Sequence, residues 1–248
     1  MNRFFVGREQ IHEDIIEIVG KDVKHIKDVL RLRLKDKVEI VSDGRCHLCE
    51  IVIIEPNRVV AKILDAWDSK NEPPIHVILF QGIAKGDKMD FIIQKCTEVG
   101  VKEIIPVVTN RTVVKIKDRD KESKKVDRWN SIAEEAAKQS KRDIIPLVRN
   151  SVEFEDMVNI LKEEDIIIVP YEMEKSVGIK EVLKGVTGDR INVVIGPEGG
   201  FEEYEIERLR TIGAKIVTLG PRILRTETAG IVTLAMILYE LGDLGVML

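Results

Sequence analysis

Two hydrophobic rhythms divide the chain. Over the first 70 residues the apolar positions come in short β-type runs, at 4–6, 15–19, 37–41, 48–54 and 58–64. Asp43-Gly44 between the third and fourth runs is a hairpin signal, and Pro56-Asn57 marks a turn before the fifth. Residues 22–31 read instead as a helix with Val23, Ile26 and Val29/Leu30 on one face. Such a series of short strands with one helix predicts a small barrel. The polar stretch 69–74, SKNEPP, reads as a linker. Beyond it, strands expected at 77–80, 103–108, 165–169, 190–195 and 214–219 alternate with helices at 89–100, 124–141, 177–183, 202–210 and 228–241. This alternation predicts an α/β domain with a mostly parallel sheet. The expected bounds are 1–70 for the barrel and 75–248 for the α/β domain.

Composition narrows the class. With 44% hydrophobic residues the chain can bury a core, which excludes a disordered or collagen-like protein. Its apolar runs are too short to cross a bilayer, and the first residues, MNRFFV, lack the apolar region of an export signal. A soluble, cytoplasmic protein without a membrane partner is expected. Three cysteines in that setting do not suggest a disulfide framework.

The formal charge of −4 hides an asymmetry. Residues 21–37 hold seven basic side chains against Asp22, Asp28 and Asp36, a net of 7 − 3 = +4. Residues 109–149 carry 12 − 7 = +5, and residues 150–218 carry 8 − 15 = −7. Separated basic stretches over an acidic remainder fit a nucleic-acid surface, although solvated helix faces produce the same pattern.

Two loops carry the candidate chemistry. Residues 195–201, IGPEGGF, follow an apolar strand and open a helix. Their glycines let backbone approach a ligand, and helix N-terminal N–H groups offer donors to it. In open α/β sheets, ligands bind beyond the carboxyl ends of strands, where this loop falls. Residues 219–229, LGPRILRTETA, again join a strand to a helix, with Thr226 as a candidate N-cap. They place Arg222, Arg225 and Glu227 in a segment otherwise poor in charge. An arginine there suits a phosphate, a carboxylate or a developing anion.

Three other motifs fail on spacing. Residues 82–88, GIAKGDK, echo a phosphate loop, but the spacing is short and Asp87 splits the Gly-Lys pair. No Gly-x-Gly-x-x-Gly follows the first α/β strand. Cys46-His-Leu-Cys49 resembles half a zinc site, yet strand positions three apart face opposite ways and no second pair follows. Cys96 falls on an apolar helical face, and no metal is expected.

At this point the residues resemble a family. IGPEGGF and LGPRILRTETA look like the paired signatures of the RsmE-type ribosomal RNA small subunit (16S) uridine-N3 methyltransferases of the SPOUT superfamily. Residues 25–31, HIKDVLR, and 94–101, QKCTEVGV, resemble further family segments, with Cys96 in place of an alanine. Arg111-Thr-Val113 and residues 136–140, AAKQS, with Arg142 and Pro146, fit as well, Lys138 replacing a commoner acidic residue. The resemblance covers nearly the whole length. It implies an N-terminal PUA-like β-barrel and a C-terminal SPOUT α/β domain with a deep trefoil knot, the knot and donor site falling within about 165–248. It also implies a homodimer acting on small-subunit ribosomal RNA or the assembled 30S particle.

The implied reaction is methylation of the N3 of one uridine, with S-adenosylmethionine as donor and no metal. The implied donor contacts are Val169, Pro170, Tyr171, Ile195, Gly196, Pro197, Glu198, Gly199, Gly200, Leu219, Gly220, Ile223, Leu224, Arg225, Thr228 and Ala229. Uracil N3 must lose its proton, so Arg225 is the expected electrostatic helper, with Glu198 or Glu227 assisting proton removal. Glu198 has an alternative role in binding the donor or closing its loop. RNA contacts are expected from Arg3, Arg8, Lys24, His25, Lys27, Arg31, Arg33, Arg111 and Arg142. The rival readings are a SPOUT methyltransferase acting on another RNA, or a non-catalytic RNA-binding assembly factor.

Overall fold

The computed structural model describes residues 1–246 except 69, 114–118 and 165. The expected linker start at Ser69, the expected strand start at Asp165 and part of the second basic stretch therefore lie outside the described residues. The chain divides into two compact units, Met1–Glu72 with Ala137–Ile145, and Pro73–Ala136 with Pro146–Leu248.

The first unit is built on β1 (Asn2–Phe5), β2 (Ile11–His12), β3 (Ile15–Val19), α1 (Lys21–Lys24), β4 (Lys37–Ser42), β5 (Arg45–Ile54) and β6 (Arg58–Asp68). They form one sheet in the order β1-β4-β5-β6-β3-β2, antiparallel except for β1 beside β4. Asp43 and Gly44 both take positive φ, 47° and 74°, the pairing a type I′ hairpin turn requires between Ser42 and Arg45. Phe4, Ile16, Ile18, Ile40, Ile51 and Val59 are among the side chains of the core.

The expected helix at 22–31 is not a continuous α-helix. After one turn it widens at His25–Val29, where Leu30 N–H bonds the His25 carbonyl at 2.9 Å. The extra residue per turn rotates the apolar phase, so Ile26 is buried while Val29 is 66% exposed. Between Leu48 and Cys49 the extra residue of a register shift lies on β6, so β5 keeps its alternation against β4: Cys49 joins the core, while Cys46 stands beside Arg3. Both cysteines are buried, and burial pushes their thiols up to about 11 and about 12.

Charged side chains knit residues 137–145 into this unit. The Arg3 guanidinium reaches Glu39 at 3.0 Å, Asp143 at 2.8 Å and the Arg142 carbonyl at 2.8 Å. Arg142 pairs with Glu72, and Lys138 meets Asp22 at 2.8 Å. Arg3 and Arg142 are only 6% and 3% exposed. Both were expected on RNA; the structure places each in a buried ion pair within this unit.

The second unit contains β7 (His76–Gly82), α2 (Lys88–Val99), β8 (Glu103–Val108), α3 (Arg119–Gln139, its last turn counted in the first unit), β9 (Leu147–Val148) and β10 (Val152–Glu153). It continues with α4 (Phe154–Leu161), β11 (Ile167–Pro170), α5 (Ile179–Leu183), β12 (Arg190–Ile195), α6 (Glu203–Thr211), β13 (Lys215–Val217) and α7 (Thr226–Leu241). The sheet runs β10-β8-β7-β12-β11-β13, with β9 beside β8, and every pairing is parallel.

Continuous apolar strands fit a sheet covered on both faces. Val77 and Leu79 pack with α2, α3, α5 and α7, whereas Ile78 and Phe80 pack with α4 and α6. Gly100 ends α2 at φ 124°, as its position after the apolar face predicts. The alternation therefore produces a mixed α/β fold with an all-parallel second sheet. Loops following β11, β12 and β13 emerge at one edge of it, at the strands' carboxyl ends.

Candidate functional site

These three loops enclose a cavity of about 510 Å³. Its walls are Pro170–Glu172 after β11, residues 195–201 except Gly199 after β12, Thr218–Thr226 after β13, Ala229 of α7 and Lys88 of α2. Three glycines, Gly196, Gly200 and Gly220, and three prolines, Pro170, Pro197 and Pro221, lie on the wall, and at the glycines backbone amides and carbonyls can reach whatever fills it. Gly200 takes φ 69°, which a side chain would strain.

A buried polar chain fixes the two principal loops to each other. Thr226 Oγ1 donates to the Gly196 carbonyl at 2.6 Å and accepts from Gln81 Nε2 at 2.9 Å. Thr226 is thus not the N-cap of α7; that position is Arg225, and the hydroxyl is engaged across the cavity wall instead. A Cβ on Gly82 would lie 2.5 Å from Pro197 N, so β7 needs glycine where it meets this loop.

The far side of the loop is held by Arg111. Its guanidinium grips Glu202 at 2.9 and 3.0 Å and donates to the Gly199 carbonyl at 2.9 Å. Glu202 caps α6, and buried Glu205 accepts the Asn110 and Glu202 N–H groups at 3.0 and 2.8 Å. Arg111 holds the Glu202 carboxyl below its ordinary range, and Glu202 raises the guanidinium in turn. Arg111, expected on RNA, is engaged with the cavity loop.

Charge gathers at one end. The Lys88 ammonium stands 3.1 Å from Glu198 Oε1 and 3.6 Å from Glu227 Oε2, and Glu198 also accepts the Lys85 N–H at 3.0 Å. Burial would raise the Glu198 carboxyl, but the Lys85 N–H and Lys88 outweigh it and hold it below 4.5. Glu227 Oε2 is buried without a hydrogen bond. Among the described residues, no ion-pair or hydrogen-bonding partner of the Arg222 or Arg225 side chain is found.

Of the expected donor contacts, Pro170, Tyr171, Ile195, Gly196, Pro197, Glu198, Gly200, Leu219, Gly220, Ile223, Leu224, Arg225 and Ala229 line the cavity. Val169, Gly199 and Thr228 do not, and Glu227 stands behind Lys88 rather than on the wall. Lys88, Glu172, Phe201, Thr218 and Pro221 line it without having been singled out. Lys88 closes the rejected phosphate-loop echo, whose basic end was the available signal. Of the residues expected on RNA, Arg8, Lys24, Arg31 and Arg33 are exposed in the first unit, while His25 and Lys27 are half-buried.

Comparison with known proteins places this geometry. Residues 71–238 match the family described as an RNA methyltransferase domain, and residues 18–64 match the RNA methyltransferase PUA domain. The cavity thus belongs to an RNA methyltransferase carrying a PUA-like domain. The Bacillus subtilis ribosomal RNA small subunit methyltransferase E is 36% identical, over 97% of each chain. The Neisseria gonorrhoeae ribosomal RNA small subunit methyltransferase E, solved bound to S-adenosyl methionine, is 29% identical with a TM-score of 0.85, covering 98% of this chain and 99% of that one. A putative methyltransferase from Legionella pneumophila, solved with bound SAM, is 31% identical with a TM-score of 0.88 and 98% coverage of each. The chain belongs to the ribosomal RNA small subunit methyltransferase E family.

Proposed function

We propose that this enzyme methylates the N3 of one uridine in small-subunit ribosomal RNA, using S-adenosylmethionine. The observation that carries the reading is the cavity that three glycine- and proline-bearing loops form at the ends of β11, β12 and β13, in a chain whose relatives are solved with this donor. The residues present fit such a donor. A volume of about 510 Å³ suits a ligand of nucleoside size, and Gly200 keeps open a wall that a Cβ would occupy. The donor contacts proposed are the cavity-lining residues of the three loops, held in place by Thr226 and Arg111. When bound, the donor supplies a methyl group already activated on a sulfonium, so the chain's residues need only deal with the acceptor.

Arg225, without a partner among the described residues, offers charge to an anion on the acceptor base. Glu198 is a poor proton acceptor because the Lys85 N–H and Lys88 stabilise its ionised form; its role is to close the loop. Glu227 Oε2 keeps accepting capacity, and a water beside Lys88 would link it to the cavity. The first unit, taken as an RNA-binding barrel of residues 1–70, positions the substrate through exposed Arg8, Lys24, Arg31 and Arg33. Residues 75–248 form the catalytic SPOUT domain, with a trefoil knot within about 165–248. Because N3 is on the Watson–Crick edge, the target uridine is unpaired or flipped.

We further place the enzyme in the cytoplasm as a homodimer, with α7, whose Tyr239 is 72% exposed, at the subunit contact. No helix among the described residues is long and apolar enough to cross a membrane. The test is mass-spectrometric mapping of small-subunit ribosomal RNA after incubation with the enzyme and labelled S-adenosylmethionine, on naked RNA and on 30S particles. One labelled N3-methyluridine is expected. Label at a ribose or another base, or none on either substrate, refutes the assignment.

A further inference from the structure

Glu172 is the cavity residue whose chemistry nothing above uses. It follows Tyr171 at the end of β11, lines the cavity and is exposed to it. Among the described residues its carboxylate has no hydrogen-bonding or ion-pair partner, in contrast to Glu198 and Glu202. It lies against the glycine loop: a Cβ on Gly200 would stand 2.8 Å from Glu172 Oε1. The two carboxylates on the wall are therefore not equivalent. Glu198 is matched by Lys88 at the end where α2 and the first turn of α7 meet. Glu172 lies against Gly200, and among the described residues no cation is paired with it.

A partnerless carboxylate on a cavity wall calls for hydrogen-bond donors from the ligand. A nucleoside donor has two sets, the vicinal hydroxyls of its ribose and the ammonium of its amino-acid arm. The zwitterionic arm is matched by mixed charge, which the Lys88–Glu198 pair supplies. The apolar groups that suit a purine, Phe201 and Ile195 among them, flank Gly200 and Gly196. The ribose, attached to the purine, then falls to Glu172.

We propose that Glu172 is a specificity-determining residue that accepts hydrogen bonds from the ribose 2′- and 3′-hydroxyls of the methyl donor. This rests on the reading of the cavity as the S-adenosylmethionine site. A carboxylate oxygen facing each hydroxyl makes two charge-assisted bonds, and such a pair discriminates against a ligand lacking one hydroxyl.

The test is calorimetric binding to the full chain of three ligands: S-adenosylhomocysteine, 5′-methylthioadenosine, which lacks the amino-acid arm, and its 2′-deoxy counterpart. The wild type is compared with Glu172→Ala and Glu172→Gln, whose exposed position leaves folding intact, as a thermal melt verifies. Both ribose ligands are expected to weaken by the same factor, about tenfold, in Glu172→Ala. Glu172→Gln, which retains one carbonyl acceptor, falls between. The wild type should prefer the ribose over the 2′-deoxyribose ligand, and Glu172→Ala should lose that preference. Weakening confined to S-adenosylhomocysteine would assign Glu172 to the ammonium and overturn the proposal. So would unchanged affinities. A wild type that binds none of the three refutes the donor reading itself, a result distinct from either.

Discussion

Replacing Thr226 by valine tests whether the cavity depends on the buried chain from Gln81 to Gly196. Valine has nearly the shape of threonine, so packing is conserved and only the hydroxyl is lost. The Gly196 carbonyl then loses its 2.6 Å donor in a setting where Thr226 and Gln81 are buried. Gln81 Nε2 loses one acceptor but keeps the Gly82 carbonyl at 3.0 Å. A part-buried acceptor left without its donor costs about 1–3 kcal/mol and a lost neutral bond about 0.5–1.5 kcal/mol, so the change should destabilise by about 1.5–4.5 kcal/mol. Urea unfolding followed by tryptophan fluorescence should show a lower midpoint at an unchanged slope, because the surface exposed on unfolding is the same. Donor affinity should fall as well, since the two loops are no longer tied. Thr226→Ser restores the hydroxyl and should recover both. A valine variant within about 0.5 kcal/mol of wild type, with donor affinity intact, would refute the reasoning.

Two further outcomes follow from charges elsewhere in the molecule. Arg3→Met removes the buried cation that Asp143 and Glu39 share, Glu39 keeping Lys141 at 2.9 Å, and should cost about 3–5 kcal/mol in chemical denaturation. Arg33→Ala, on an exposed side chain, should leave stability within about 0.5 kcal/mol while reducing the salt dependence of RNA binding; equal stabilities for the two variants would contradict the burial assigned to Arg3. Glu174 accepts the Ser176 hydroxyl and the backbone N–H groups of Ser176, Val177 and Lys175, which hold its carboxyl at about 2. Its folded-state value is depressed, so its contribution is fully present above the ordinary 4.5 and is lost as pH falls towards 2. The stability difference between wild type and Glu174→Gln should therefore be constant from pH 8 to pH 5 and shrink below it; a difference that grows on acidification would reverse the assignment.

What could be read in advance divides along a physical line. The strands at 77–80 and 190–195 are legible because burial on both faces leaves a continuous apolar run, a demand met within a few residues. The glycine loops at 195–201 and 219–229 are legible for the same reason: left-handed backbone and close approach are local requirements, written in glycine and proline. Helix α4 had a local signal too, since Phe154, Met157, Val158 and Leu161 are spaced for one buried face, but the acidic residues around them obscured it. Arg3 and Arg142 show where local reading ends. Each looks like an exposed cation in its own segment, yet the acids that bury it, Glu39, Glu72 and Asp143, are brought up by tertiary pairing. Charge along a chain states that a partner is needed, not whether that partner is a phosphate or a carboxylate of the same protein. Glu172 is the converse case, a carboxylate on the cavity wall to which, among the described residues, folding brings no partner. Arg222 and Arg225 differ from Arg3 and Arg142 in that, among the described residues, folding brings no partner to them on the cavity wall, and the charge proposed to be met there is a substrate's.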